Sequence, residues 1–170
     1  RVFRQVQYWF ATDRDALWDE ARCPAFLWFH GAAAEAFCYG FPMLDGGQRA
    51  VKVATEQYDM AGDPDRLARI VAPAEIAAMH AAHVHGRLAG VTDHCVEALV
   101  CSYTVNENPA HFGRFLVADH PTIGGVTVVS ACSGHGFKHA PGIGDLVVEQ
   151  LFGAPDRPEL QAFRCRPSGP

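Results

Sequence analysis

Only two of the 14 basic side chains are lysine, Lys52 and Lys138; the other 12 are arginine. Arginine replaces lysine in most solvated roles, so a position that keeps a compact ammonium of adjustable pKa is a candidate for function. Lys52 stands at the centre of Val51-Lys52-Val53, a period-two stretch that aims it at one face of a strand and the two valines at the other. Lys138 ends the run Ser133-Gly134-His135-Gly136-Phe137-Lys138, a Gly-rich turn between an apolar segment and a helical one. Such a turn presents backbone N–H groups and a helix N-terminus to an anion. Its glycines lack the Cβ that would keep the backbone away from a flat ring. Cys101, in Cys101-Ser102-Tyr103-Thr104, has two readings. It is either a buried structural thiol or a nucleophile, and the second requires a positive neighbour.

Other constellations are weaker. The dinucleotide pattern GxGxxG is broken twice: His139 stands where the third glycine after Gly134 and Gly136 should be, and Val147 does so after Gly142 and Gly144. His80, His83 and His85 share a helical stretch, but no carboxylate or cysteine completes a metal set beside them, and they read as a satisfied or solvated face. His94, Cys95 and Cys101 do not make a zinc site. In an alternating strand Cys95 and Cys101 point the same way, about 20 Å apart at roughly 3.3 Å per residue. The patterns GxSxG and HExxH, a Walker loop and paired carboxylates are absent from the sequence.

Periodicity predicts the strands and helices that carry these residues. Residues 2–10 alternate and are rich in aromatic and β-branched types, which predicts a strand; residues 25–30, 36–41 and 49–55 read as three more, joined by short connections that favour antiparallel hairpins. The charged stretch 12–22 reads as a loop or helical turn. Asp63-Pro64-Asp65 predicts a helix start, and a second helix is expected over 74–88, with Ile76, Met79, His80, His83 and Leu88 on one stripe and Gly90 as its stop. Residues 95–105, 115–118 and 125–131 read as strands, the last of them buried, and a helix over 145–152 comes after the Gly-rich turn. The fold class is α+β: an antiparallel sheet with flanking helices, plus a strand–Gly-rich loop–helix unit.

Composition narrows the function classes. The chain has 170 residues, 49% of them hydrophobic and 19% charged, which is a globular composition and neither a disordered nor a coiled-coil one. The net charge is −5 and basic residues never run beyond two, so nucleic acid is not an expected partner. No apolar stretch approaches the roughly 18 residues that span a membrane. Residues 1–10 read as a strand entered in mid-protein and not as a signal peptide. The six cysteines contain no CxxC pair, which favours reduced thiols and a cytoplasmic location.

Cys101-Ser102-Tyr103-Thr104, then Asp119-His120-Pro121, then Ser133-Gly134-His135-Gly136-Phe137-Lys138, in this order, resemble the C-terminal half of the monomeric sarcosine oxidase / N-methyltryptophan oxidase family. The stretch Tyr39-Gly40-Phe41-Pro42 leading to Lys52 matches as well, and the resemblance covers nearly the whole chain. It implies an FAD-dependent enzyme that oxidises N-methyl amino acids or related secondary amines to imines, with O₂ as acceptor and H₂O₂ as product. A dehydrogenase of the same fold, or a flavin-free fragment, are the alternatives. It implies that Cys101 carries the FAD through a thioether and that Lys52 activates oxygen. By the same resemblance Gly134, His135, Gly136, Phe137 and Lys138 contact the flavin, and Lys138 and Tyr39 bind substrate. Residues 1–98 would form a substrate-domain segment, 99–156 a return into a Rossmann-like FAD-binding domain, and 157–170 a tail. The N-terminal Rossmann half would be a missing partner, and the whole protein a monomer without a metal. The chain departs from the family at Glu56, where many relatives have histidine, in two extra residues between Tyr39 and Lys52, and in a longer 106–114 segment.

Overall fold

The computed structural model describes residues 1–107 and 112–153. The chain divides into two compact units, one made of Arg4–Ser102, the other of Arg1–Phe3 together with the chain from Tyr103 onward. The expected tail 157–170 and part of the 106–114 loop lie outside the described residues.

In the larger unit an antiparallel sheet is built from β1 (Val2–Thr12), β2 (Phe26–Phe29), β3 (Phe37–Phe41), β4 (Ala50–Ala54), β5 (Ala61–Gly62) and β6 (Val91–Thr104). The order is β2-β3-β4-β1-β5, and β6 also pairs with β1. Alternation decides which face is covered. Val6, Tyr8 and Phe10 from β1, Cys38 from β3 and Val51 and Val53 from β4 point to one side, where Met79, Val84 and Leu88 close a core over them. The last three come from α1 (Pro73–Met79) and from the turn beyond it. α1 begins at Pro73, whose missing N–H costs nothing in a first turn, and Glu75 accepts from the Ala72 N–H.

The expected helix 74–88 is shorter than its pattern. After Met79 the chain widens into a π segment, His80–Val84, closed by the His85 N–H donating to the His80 carbonyl at 2.8 Å. The wide turn brings Val84 into the core. The helix predicted at Asp63-Pro64-Asp65 does not form; Asp63 caps only a turn, with Asp65 N–H on its Oδ1 at 3.0 Å. The cause is distant. Buried Arg4 takes the carbonyls of Ala68 at 2.8 Å and Ile70 at 3.1 Å, which ties 68–70 to β1 outside any helix. β6 begins four residues before the expected 95. Its alternation slips, because Cys95, Ala98 and Val100 all pack on the core while Cys101 faces Gln7 on the other side. The expectation that Cys95 and Cys101 point the same way is therefore corrected.

In the smaller unit β7 (Leu116–Asp119) pairs antiparallel with β8 (Thr127–Ser130), and α2 spans Ala140–Leu151. Phe115 and Val117 pack on Ile143 and Leu146. α2 starts five residues earlier than predicted, so Gly142-Ile143-Gly144 is helical and not loop. Pro141 sits in its first turn, and Ile143 and Leu146, three apart, anchor that turn in the core. The strand expected to be buried is not: Val128 and Val129 are exposed. The α+β class and the antiparallel sheet stand.

Candidate functional site

The residues singled out by sequence fall into two sets, one in each unit. In the larger unit, β4 pairs with β1 so that Lys52 lies opposite Trp9, and with β3 so that it lies opposite Phe41. Cross-strand neighbours share a face, so this pairing fixes the ammonium's surroundings. Lys52 Nζ is 5.3 Å from the centroid of the Trp9 ring and 5.3 Å from that of Phe41. Both are within the range of a cation–π contact. Among the described residues Nζ makes no hydrogen bond or ion pair. Burial pushes the ammonium below its ordinary pKa, and the Cys101 sulfur acts in the opposite sense.

Cys101 and Lys52 therefore lie within electrostatic reach on one face. Gln7 is on that face too, two residues from Trp9, and its Nε2 donates to Cys101 Sγ at 3.6 Å. The nucleophile reading of Cys101 asked for a positive neighbour; the structure supplies an ammonium and an amide N–H. Tyr39 faces the same way, opposite Ala54 on β4 and Leu27 on β2.

The Lys52 face of the sheet also exposes apolar side chains. Leu27 is 59% exposed and Phe29 67%, and Phe41 and Leu99 are also exposed. A hollow of about 390 Å³ opens there, lined by Trp9, Phe41, Pro42, Gln48, Lys52 and Glu97. Gln48 Nε2 donates to the Glu97 carboxylate at its rim. Sequence reading missed Gln7, Trp9, Gln48 and Glu97. Gln7 and Trp9 carried a usable signal, being the polar and aromatic residues that alternate with Val6, Tyr8 and Phe10.

In the smaller unit the run Ser133–Lys138 forms a closed loop after β8. Ser133 is buried with φ 44°, a left-handed conformation uncommon outside glycine. Gly134 has φ 79°, and a Cβ there would stand 2.5 Å from the Tyr103 ring; a Cβ on Gly136 would stand 1.7 Å from the Ala131 carbonyl oxygen. These glycines let the loop close on its own chain. His135 stacks on Phe115 with centroids 4.6 Å apart, and its Nε2–H donates to the Gly113 carbonyl at 3.0 Å. Lys138, in a single 3₁₀ turn with Phe137, returns its Nζ to the His135 carbonyl at 3.2 Å. Phe137 is 98% exposed. The loop is thus self-bonded, and it carries one ammonium and one exposed aromatic ring.

Among the described residues no cluster of three or more His, Cys, Asp or Glu could hold a metal ion. No described helix is long and apolar enough to cross a membrane.

No family model matches the chain. Monomeric sarcosine oxidase from Streptomyces avermitilis is 31% identical over 150 residues, which is 87% of this chain and 37% of that protein. The monomeric sarcosine oxidase of Bacillus sp. strain NS-129 is 26% identical over 148 residues, covering 86% of this chain and 36% of its own length. That of strain B-0618 is 26% identical over 151 residues, with 88% and 36% covered. The chain therefore spans little more than a third of the curated relatives it matches. Among solved structures, the open form of NikD, described as an unusual amino acid oxidase essential for nikkomycin biosynthesis, has a TM-score of 0.64 over 97% of this chain and 42% of its own, at 15% identity. At that identity the match speaks for the fold alone. Over most of its length the chain is similar in sequence to the monomeric sarcosine oxidases, the family its motifs resemble.

Proposed function

We propose that this chain is part of an FAD-dependent oxidase that converts N-methyl amino acids or related secondary amines to imines, with O₂ as acceptor and H₂O₂ as product. The observation that carries the reading is the shared face of Cys101 and Lys52, with Gln7, Trp9 and Phe41 beside them. A thiol, an amide N–H, an ammonium and aromatic rings side by side fit a planar, largely apolar ring system with polar edges. The names of the similar proteins support the same reading.

Bound flavin would supply the two-electron acceptor for amine oxidation. The chain's own residues supply position and field. Cys101 would hold the cofactor through its sulfur, with Gln7 orienting that sulfur. Lys52 presents a fixed positive charge to the negative charge that oxygen gains on taking an electron. The charge is preorganised, since two aromatic rings and strand pairing hold it. Tyr39 and Lys138 would bind the substrate, Lys138 through the substrate's carboxylate. Gly134, His135, Gly136 and Phe137 would form the flavin's polar-edge contacts, within a Rossmann-like domain completed by sequence beyond this chain. The whole protein would act as a monomer.

Lys52 is the discriminating residue. An interaction realised only when oxygen is reduced acts on reoxidation and not on amine oxidation. In the complete enzyme, Lys52→Met is expected to leave reduction by substrate within about tenfold and to slow reoxidation by O₂ by about 10²–10³-fold, the scale for losing one preorganised group. Stopped-flow measurement of the two half-reactions reads both. Collapse of reduction with reoxidation untouched would overturn the oxidase assignment in favour of a dehydrogenase.

A further inference from the structure

Two histidines lie on the side of the sheet away from Lys52. His30 comes directly after β2, where its N–H donates to the Ala36 carbonyl at 2.9 Å, and so sits at the turn end of the β2–β3 hairpin. His83 belongs to the π segment. His30 Nε2 and His83 Nδ1 are 3.1 Å apart, with ring centroids at 5.3 Å and planes at 65°. One nitrogen donates and the other accepts, so the pair can share one proton at the contact and cannot hold two.

The surroundings offer a second proton nothing. The hairpin contributes His30, and Trp28 with its ring edge-on to His30 at 6.2 Å. From β3, Cys38 faces the same core as an uncharged thiol, which burial pushes up. The helical side contributes His80 and His85, whose rings are 5.9 Å apart, and Arg87 beyond them. Burial first, then His30, then Arg87 hold His83 below the ordinary histidine pKa, and among the described residues no carboxylate acts on it.

We propose that His30 and His83 are a proton-operated latch, holding the β2–β3 hairpin on the helical segment near neutrality and releasing it in mild acid. Once both rings are protonated the contact joins two donors and two positive charges beside Arg87, and the attraction becomes repulsion. β2 is an edge strand, and among the described residues no other strand pairs with its outer side. The hairpin it forms carries Tyr39 and Phe41, so release would loosen one wall of the hollow around Lys52.

The test is hydrogen–deuterium exchange of the segment 26–41 in the whole protein at pH 7.5 and 5.0, corrected for the intrinsic pH dependence of exchange. Wild type is expected to exchange faster at pH 5.0 than at pH 7.5 after that correction. His83→Gln, which keeps a neutral partner for His30 at both pH values, is expected to show no such acceleration. Equal exchange at the two pH values in wild type, or equal acceleration in wild type and variant, would overturn the latch. Ring-nitrogen NMR of wild type gives a second, variant-free reading. Coupled rings titrate in two distinct steps that both nuclei sense, whereas two titrations independent of each other would refute the pair.

Discussion

Arg4→Met isolates a buried ion pair whose worth can be worked out from its contacts. The Arg4 guanidinium is 2% exposed; it donates to Glu75 Oε2 at 2.6 Å, to Glu75 Oε1 at 3.4 Å, and to the carbonyls of Ala68 and Ile70. Removing one partner of a buried pair costs about 3–5 kcal/mol when the other stays buried and uncompensated. Here Glu75 is 36% exposed at its side chain, and water can reach Ala68 and Ile70, so part of the loss is recovered. Methionine also refills the arginine stem. We expect a loss of about 2–3 kcal/mol, within the range for two to three charge-assisted hydrogen bonds after such recovery. Denaturant unfolding with a lowered midpoint and unchanged slope would report it. The pH dependence gives a second reading. Burial pushes the Glu75 carboxyl up, but the Ala72 N–H and the Arg4 guanidinium together hold it below its ordinary value. A depressed folded pKa means stability that is present above the unfolded value of 4.5 and is lost as pH falls through the folded one. Arg4→Met should flatten that acid limb. A loss under about 1 kcal/mol, smaller than one charged hydrogen bond, would refute the reasoning.

Cys101→Ser in the complete enzyme should release the flavin on denaturation, while wild type keeps flavin fluorescence on a gel; retained fluorescence in the variant would place the attachment elsewhere. Lys138→Ala should weaken binding of an amino-acid substrate by about 1.5–3 kcal/mol and that of an amine without a carboxylate far less, read by flavin absorbance titration. Because burial depresses the Lys52 pKa, raising the pH should slow reoxidation before an ordinary lysine would titrate, and Lys52→Met should abolish that limb. Gly134→Ala meets the Tyr103 ring and a positive φ at once, so circular dichroism should show a lowered melting temperature.

The sequence was legible wherever one local rule decided the outcome. Val51 and Val53 are fully buried and Lys52 is not, as alternation alone requires. It was illegible where a distant side chain overrode a local signal. Asp63-Pro64-Asp65 has the chemistry of a helix start, but the carbonyls a helix would need are taken by Arg4, some sixty residues earlier. The start of α2 was hidden by two glycines that argue against a helix; burial of Ile143 and Leu146 outweighs their propensity cost of roughly 1 kcal/mol each. Within the candidate site, Lys52 and Cys101 stood out by residue type. Their nearness depends on β4 and β6 both pairing with β1, a long-range arrangement that no motif records. Gln7 was hidden for the same reason.

The π segment also bears on how this chain tolerates change in length. A π turn is an α-helical turn with one extra residue, and each α-helical residue rotates the next by about 100° around the axis. Deleting Ala81 or Ala82 would restore regular winding, in which four α steps of about 100° come close to the rotation that five of the narrower π steps now make, so His83 and Val84 would keep roughly the directions they now hold, against His30 and into the core. Substituting either alanine leaves the winding intact. This short stretch should therefore accept single substitutions and also the loss of one residue, so relatives that share the His83 contact can differ by one in the residue count between Pro73 and Leu88.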